Sequence, residues 1–208
     1  MTDSTSANFW NDRYATVDFV WSISPNEFVV EFLGDLPAGR MIDLAGGEGR
    51  NALWFAKRGW QAENADISSV AIDKFLERAE TEGLRNRVVG TVIDVDQPVE
   101  YQLAPADLGL IAYLQIPNEQ LVPSIRGLVD ALRPGATFFG VWHARENLAD
   151  GFGGPQRADV LPTVEELHAI AETEGLTILE LGLRDRFVDV DGESRRAIDV
   201  VLHATISD

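Results

Sequence analysis

Hydrophobic and polar residues follow two different periods along this chain, and the period indicates the type of element. Helical spacing places Leu121, Ile125 and Leu128 on one face, whereas Val88–Val95 is a short run rich in β-branched residues. These patterns predict helices over Asn8–Tyr14, Pro25–Leu36, Asn51–Arg58, a segment capped by Ser68 or Ser69 that ends at Glu82, Asn118–Leu132 and Thr163–Glu174. They predict strands over Met41–Ala45, Gln61–Asp66, Val88–Val95, Asp107–Leu114, Thr137–His143, Thr177–Val190 and Arg195–Ile206, and a long loop over Ala144–Leu161.

Residues that favour helix ends support these boundaries. Ser24 precedes Pro25, which suits the first position of a helix, so Ser24 is a candidate N-cap. Thr163 is a second candidate N-cap, with Glu166 as its partner in a capping box. Gly59 follows a run of helical residues and indicates where that helix ends.

The order of the elements predicts the fold class. Helices and strands alternate five times, and the chain then closes with two long strands joined by Asp191-Gly192-Glu193-Ser194, a hairpin turn. Alternation of this kind produces a parallel sheet with helices on both faces. The expected fold is therefore α/β: a doubly wound, mostly parallel seven-stranded sheet with a C-terminal antiparallel hairpin. At this length one domain, residues 1–208, is expected, with residues 1–36 as a helical lead-in and lid.

The segment Met41–Asp66 has the order strand, glycine-rich turn, helix, strand, carboxylate. Small residues in such a turn let the backbone approach a ligand, and the final carboxylate can accept hydrogen bonds from a ribose. Gly47-Glu48-Gly49-Arg50-Asn51-Ala52 matches the dinucleotide fingerprint, with Asp66 about 20 residues on. Asp43-Leu44-Ala45-Gly46-Gly47-Glu48-Gly49 resembles, with alanine for the first glycine, the D-x-G-x-G-x-G loop of class I S-adenosylmethionine-dependent methyltransferases. The turn alone leaves both cofactors open, as well as a turn that binds no ligand.

Composition narrows the classes of partner. Asp and Glu outnumber Lys and Arg by 34 to 17, the net charge is −17, and no basic run is longer than Arg195-Arg196, so nucleic acid is not expected to bind. No apolar run reaches the roughly 18 residues that span a membrane, and the polar N-terminus does not resemble a signal peptide. The absence of cysteine excludes disulfides and thiolate metal sites. The expectation is a cytoplasmic protein, monomeric or homodimeric, that does not associate with a membrane.

Further motifs, in chain order, make the resemblance more specific. They are Phe9-Trp10-Asn11-Asp12-Arg13-Tyr14, Ser24-Pro25-Asn26-Glu27-Phe28, Asp43–Arg50, Asp66-Ile67-Ser68, Val92-Ile93-Asp94-Val95, Leu132-Arg133-Pro134-Gly135-Ala136 and Gly151-Phe152-Gly153-Gly154-Pro155. The set covers nearly the whole chain and resembles the small methyltransferases related to tellurite-resistance and thiopurine methyltransferases. The resemblance implies a Rossmann-like class I fold, S-adenosylmethionine as cofactor with S-adenosylhomocysteine as product, and methyl transfer to a small-molecule acceptor. It does not identify the acceptor.

Each chemical part of S-adenosylmethionine has a matching residue type in these motifs. A carboxylate can accept hydrogen bonds from the two ribose hydroxyls, a second one from the adenine amino group, and a third can orient the ammonium group. Aromatic side chains of the lead-in can cover the cofactor with a ring face toward the sulfonium. The resulting cofactor-site prediction consists of Trp10, Tyr14, Asp43, Ala45, Gly46, Gly47, Gly49, Asp66, Ile67, Asp94 and Val95.

No set of catalytic residues is evident from the sequence. His143 and Tyr113, at the ends of two predicted strands, are the only candidates, and no spacing typical of a metal site is present. The expected chemistry is direct displacement, which depends on positioning more than on acid–base catalysis. A NAD(P)-dependent oxidoreductase is the alternative, but the terminal hairpin and the aromatic lead-in argue against it. A non-catalytic cofactor-binding module is the third hypothesis.

Overall fold

The computed structural model describes residues 4–16, 23–95 and 103–207, and only the backbone of residues 4 and 5. Its helices are α1 (Ser4–Ala15), α2 (Glu27–Leu33), α3 (Arg50–Lys57), α4 (Ser69–Thr81), α5 (Asn118–Val129), α6 (Asn147–Asp150) and α7 (Val164–Thr173). Its strands are β1 (Arg40–Leu44), β2 (Gln61–Asp66), β3 (Val88–Val92), β4 (Ala106–Ala112), β5 (Leu132–His143), β6 (Leu176–Val190) and β7 (Glu193–Ile206). Residues 1–3 and 17–22 of the predicted lead-in 1–36 lie outside the described residues.

The strands form one sheet in the order β3-β2-β1-β4-β5-β7-β6. Strands β1 to β5 pair in parallel, whereas β7 pairs antiparallel with both β5 and β6. The two-residue turn between β6 and β7 holds Asp191 and Gly192 at positive φ, as a tight hairpin requires. This arrangement confirms the predicted fold class, a doubly wound sheet with a C-terminal antiparallel hairpin.

Side chains from opposite faces of the sheet form two hydrophobic cores. Trp142 and Phe138 of β5 lie in one core, against α5 and α7. Phe139 and Val141 alternate with them and lie in the other core, against α2, α3 and α4. The segment 138–142 of β5 is thus buried on both faces, because helices cover this part of the sheet on both sides, whereas Arg133, Pro134 and Gly135 at the start of the strand are exposed. The carboxyl edge of the sheet is thereby held in a fixed position for the site described below.

The junction between α5 and β5 differs from its prediction. Helix α5 was expected to continue to Leu132 and to end before Pro134-Gly135, with a strand from Thr137. Leu132 instead begins β5, where it pairs with Ala106 of β4, and the amide of Ala106 donates to the carbonyl of Ala131 (3.0 Å). Helical periodicity extended across these residues, but pairing with the neighbouring strand determines their conformation.

Two other boundaries follow from single residues. Asn26, not Ser24, caps α2, because its Oδ1 accepts from the amides of Phe28 (2.9 Å) and Val29 (3.3 Å). Strand β4 ends two residues early because Tyr113 has a left-handed backbone, with φ of 63°. By contrast, the capping box of Thr163 and Glu166 at α7 is confirmed.

Candidate functional site

A cavity of about 780 Å³ lies at the carboxyl edge of the parallel strands. The turns that follow β1, β2, β3, β4 and β5 form its floor, while α1 and residues 154–160 form two of its walls. Nine of the eleven predicted cofactor residues line it, namely Trp10, Tyr14, Ala45, Gly46, Gly47, Asp66, Ile67, Asp94 and Val95. Both candidate catalytic residues, Tyr113 and His143, also line it. Asp43 and Gly49 are absent from its lining.

The glycine-rich turn after β1 follows a left-handed path. Ala45 (57°), Gly47 (57°) and Gly49 (72°) all have positive φ, which explains why the methyltransferase pattern places glycine where this chain has Ala45. A Cβ on Gly47 would lie 2.5 Å from the hydroxyl oxygen of Tyr14. Gly47 therefore allows the loop to approach the tyrosine of α1 at the cavity wall.

Gly49 serves packing and does not contact the cavity. It caps α3, and a Cβ at this position would lie 2.1 Å from the Phe75 ring of α4. This ring is fully buried in one of the two cores. The third glycine of the motif therefore lets α3 and α4 approach each other, and it acts on the site only through the position of the loop.

Asp66 at the end of β2 fixes the glycine loop from below. Its Oδ2 accepts from the amide of Gly47 (2.8 Å) and its Oδ1 from the amide of Ser68 (2.9 Å). Burial raises the pKa of this carboxyl, and the backbone donors of Ser68, Gly47 and Ile67 oppose that effect. Each carboxylate oxygen has a further lone pair, so Asp66 can still accept from a ligand in the cavity.

Asp43 at the end of β1 lies beneath the same loop. It is completely buried, and neither carboxylate oxygen has a hydrogen bond of good geometry to a described residue, although the Ala52 amide and the Asn51 side chain lie near enough to lower its pKa. Burial raises its pKa to about 7, against the opposing attraction of Arg50. The Oδ1 atom of Asn64, also buried, has no partner there either. Such orphaned acceptors under a loop indicate a place where a cationic or hydrogen-bond-donating group is missing.

Arg50 is a residue of the site that the sequence prediction missed. It is the first residue of α3, it lines the cavity, and its guanidinium makes no hydrogen bond or ion pair with any described residue. Burial lowers its pKa, while the nearby Tyr113 hydroxyl and Asp43 raise it. Its place directly after the glycine motif was the available signal. An arginine in this position can bind a carboxylate of a ligand.

Helix α1 lies against the start of α4 and forms one wall of the cavity. The Oδ1 atom of Asn11 accepts from the Ser68 hydroxyl (2.7 Å), and Lys74 donates to the carbonyl of Tyr14 (2.6 Å). Trp10 and Tyr14 stand side by side with their ring centres 5.8 Å apart. These contacts bring the aromatic motif of the lead-in to the same edge of the sheet as the glycine loop.

A polar cluster lies across the cavity from this wall. His143 at the end of β5 and Tyr113 after β4 stack with ring centres 4.7 Å apart. Both bond to Asp199 of β7, which is fully buried and also accepts from Nε of Arg186 on β6 (2.7 Å). The sequence prediction missed Asp199 and Arg186. A single carboxylate within the apolar run Ala197–Leu202 was the signal that could have identified the first of them.

Two further properties of the described residues bear on function. No group of three or more His, Asp and Glu side chains within them could hold a metal ion. None of their helices is both long enough and apolar enough to cross a bilayer.

Comparison with solved structures identifies the fold. TehB from Haemophilus influenzae superposes with a TM-score of 0.70 at 16% identity, over 97% of this chain and 67% of that chain. The magnesium protoporphyrin IX methyltransferase of Synechocystis PCC 6803, with bound S-adenosylhomocysteine, gives 0.70 at 15% identity over 98% and 99%. This chain has the class I S-adenosylmethionine-dependent methyltransferase fold. The fold agrees with the resemblance to the tellurite-resistance group found in the sequence.

Sequence similarity to known proteins covers a much smaller part of this chain than structural similarity does. The ribosomal RNA small subunit methyltransferase C of Alcanivorax borkumensis is 32% identical over 62 residues, which are 30% of this chain and 18% of that protein. No protein-family model matches the chain.

Proposed function

We propose that this protein is an S-adenosylmethionine-dependent methyltransferase that acts on a small-molecule acceptor. The observation that carries the proposal is the convergence of three features on one cavity: the left-handed glycine loop, Asp66 at the end of β2 and Asp94 beyond β3. This arrangement matches a ribose beside Asp66 and an adenine between Asp94 and the loop. Solved neighbours of the fold contain S-adenosylmethionine or its product, which supports the same ligand here.

The charged groups around the glycine loop fit the amino-acid end of this cofactor. Asp43 has two buried oxygens without a well-formed hydrogen bond, suited to orienting an ammonium group directly or through water. Arg50 presents a cation suited to a carboxylate. Trp10 and Tyr14 would face the sulfonium. When bound, the cofactor supplies a methyl group activated by positive sulfur. Residues of this chain would hold the acceptor in line with that methyl and exclude water.

Two features favour a small acceptor over a structured RNA. The net charge of −17 would repel a phosphate backbone, although a relative named for ribosomal RNA methylation shares a short segment. The cavity is also bordered by α1 and by Gly154, Pro155 and Arg157. Its volume is in the range of small-molecule sites. We propose accordingly that residues 1–208 act as one domain, with the N-terminal segment as a lid. The cytoplasmic location and the oligomeric state stay predictions.

A thermal-shift comparison of four ligands tests the cofactor. S-adenosylhomocysteine and S-adenosylmethionine should raise the melting temperature, because a ligand that binds only the folded state stabilises it by mass action. NAD and NADP should leave it unchanged. Stabilisation by NAD alone would instead support the oxidoreductase alternative. Binding of S-adenosylhomocysteine without turnover of any acceptor would favour the non-catalytic module.

Asp66→Ala should weaken S-adenosylhomocysteine binding by about 1.5–3 kcal/mol, or roughly 10- to 100-fold, because it removes charged hydrogen bonds to the ribose. Calorimetry would measure the loss, with Asp35→Ala as a control, since Asp35 is exposed and outside the cavity. Because Asp66 also holds the amide of Gly47, the same variants should be titrated with the 2′,3′-dideoxy form of the ligand. If the affinities of the two ligands differ as much in Asp66→Ala as they do in the wild type, then Asp66 supports the loop and does not bind the ribose.

A further inference from the structure

The imidazole of His143 is held in one orientation by contacts at Nδ1 and on its ring faces. Its Nδ1 lies 2.9 Å from Oδ1 of Asp199, and its backbone amide donates to Oε1 of Gln115 (2.9 Å). One ring face stacks on Tyr113 at a tilt of 31°. The other face lies against Gly154, where an added Cβ would come within 2.9 Å of the ring. A side chain fixed in this way is preorganised for one task.

Strand pairing sets the contact between His143 and Asp199. The two residues are direct partners in the antiparallel ladder of β5 and β7, so the carboxylate lies beside the ring and beneath the cavity floor. Burial would raise the pKa of Asp199, but hydrogen bonds from His143 and Arg186 outweigh this effect and lower it. Asp199 is therefore ionised and can only accept, so the hydrogen bond between the two side chains places a proton on Nδ1 of the imidazole.

The opposite nitrogen of the ring is the one available for chemistry. When the ring is neutral, the hydrogen bond to Asp199 selects the tautomer with the proton on Nδ1, which leaves the lone pair on Nε2. Nε2 has no hydrogen-bond partner among the residues described, and His143 lines the cavity with its side chain 16% exposed. Tyr113 has a left-handed backbone, which is costly for a bulky residue, and its ring packs on one face of the imidazole. This combination of carboxylate, imidazole and open Nε2 is the arrangement of a general base.

We propose that His143 is the general base of the methyl transfer, that Asp199 is its positioning residue, and that the acceptor is a neutral hydroxyl compound. The inference rests on the proposed function and revises the expectation of displacement without a base. Nε2 takes the proton of the acceptor O–H group as the oxygen forms a bond to the methyl carbon. The carbon–sulfur bond breaks with its electron pair left on sulfur, and the imidazolium then releases its proton to solvent.

A general base is useful only for an acceptor that must lose a proton before it can attack the methyl group. Thiols ionise readily and metalloid oxyanions are already charged. An aromatic amine is uncharged near neutral pH and attacks through its free lone pair, so none of these three needs a base before attack. A neutral hydroxyl group is a weak nucleophile until its proton is removed. The lining of the whole cavity includes Leu114, Ile116 and Val160 beside polar side chains such as Gln115, so the cavity can hold an acceptor with an apolar body and one hydroxyl group, such as a phenol.

Nitrogen NMR tests the resting state of the ring without an acceptor. Long-range proton–nitrogen correlations, assigned with His143→Gln, should show His143 as the neutral form with Nδ1 protonated. Asp199→Asn should shift the ring toward the other form. If that variant does not fold, the wild-type spectrum still decides. An Nε2-protonated ring in the wild-type protein would overturn the proposal, whereas failure to bind S-adenosylhomocysteine in calorimetry would instead overturn the proposed function.

Kinetics with matched probes tests the reaction. Release of S-adenosylhomocysteine should be followed with 4-methylphenol, 4-nitrophenol and thiophenol. His143→Gln should lower kcat for 4-methylphenol by about 10²- to 10⁴-fold with KM little changed, and by less for 4-nitrophenol, which ionises without help. His168→Gln, on the exposed face of α7, should match the wild type. Equal turnover of 4-methylphenol by His143→Gln and wild type, or turnover of thiophenol only, would overturn the proposal. If no probe reacts, the ring form seen by NMR decides.

Discussion

Replacing Asp43 by asparagine is expected to raise the free energy of unfolding above neutral pH by on the order of 4 kcal/mol. Asp43 is completely buried, and the nearby Ala52 amide and Asn51 side chain offset only part of the cost of burying its ionised form. Burial is the main cause of its raised pKa of about 7, and repulsion from Asp66 adds to it. Asparagine has almost the same shape and carries no charge.

The pH dependence distinguishes this effect from a gain in packing. The carboxyl of Asp43 ionises near its ordinary pKa of 3.8 in the unfolded chain and at about 7 in the folded one. Between these values the unfolded state loses the proton first, so the stability contributed by the protonated group falls as pH rises and stays low above the folded pKa. Urea unfolding at several pH values should show this slope in the wild type and its loss in Asp43→Asn. Asp73→Asn, at an exposed site on α4, is the control.

The same substitution should weaken binding of the cofactor product. If Asp43 orients the ammonium group of the ligand, an asparagine in its place retains an acceptor but loses the charge, so calorimetry should show weaker binding by a more stable protein. A variant that is no more stable than wild type at high pH would mean that Asp43 is already satisfied in the folded state. Unchanged affinity would mean that the ammonium group lies elsewhere.

Gly49→Ala is expected to lower the free energy of unfolding by about 2–4 kcal/mol. Its φ of 72° is unfavourable for alanine, and the new Cβ would lie 2.1 Å from the Phe75 ring, which is fully buried. Gly83→Ala separates the two causes. Gly83 has nearly the same φ, 71°, but nothing lies within 4 Å of its added Cβ. This control should lose only about 1 kcal/mol in chemical denaturation. Equal losses at both positions would show that the contact with Phe75 is unimportant.

The sequence by itself determined the alternation of elements and hence the sheet, because the period of apolar residues reports how each segment is buried. It also predicted most of the residues proposed to hold the cofactor that the structure places at the cavity. Asp66 and Asp94 each come at or shortly after the end of a strand, and all parallel strands deliver their carboxyl ends to one edge. Nine of eleven predicted cofactor residues line the cavity for this reason. A local pattern suffices where function depends on position along a single strand–turn–helix unit.

Only the tertiary structure decided the residues that depend on pairing between distant segments. Asp199 lies 56 positions from His143, and the β5–β7 register alone brings them to 2.9 Å. Likewise, the contact with Phe75 shows that Gly49 is needed for packing. Leu132 was predicted to be helical, but it lies in a strand because it pairs with Ala106. Periodicity and motifs reflect interactions between residues that are close together in the sequence. They carry no information on which distant side chain fills the remaining space, and at this site a distant carboxylate orients the imidazole.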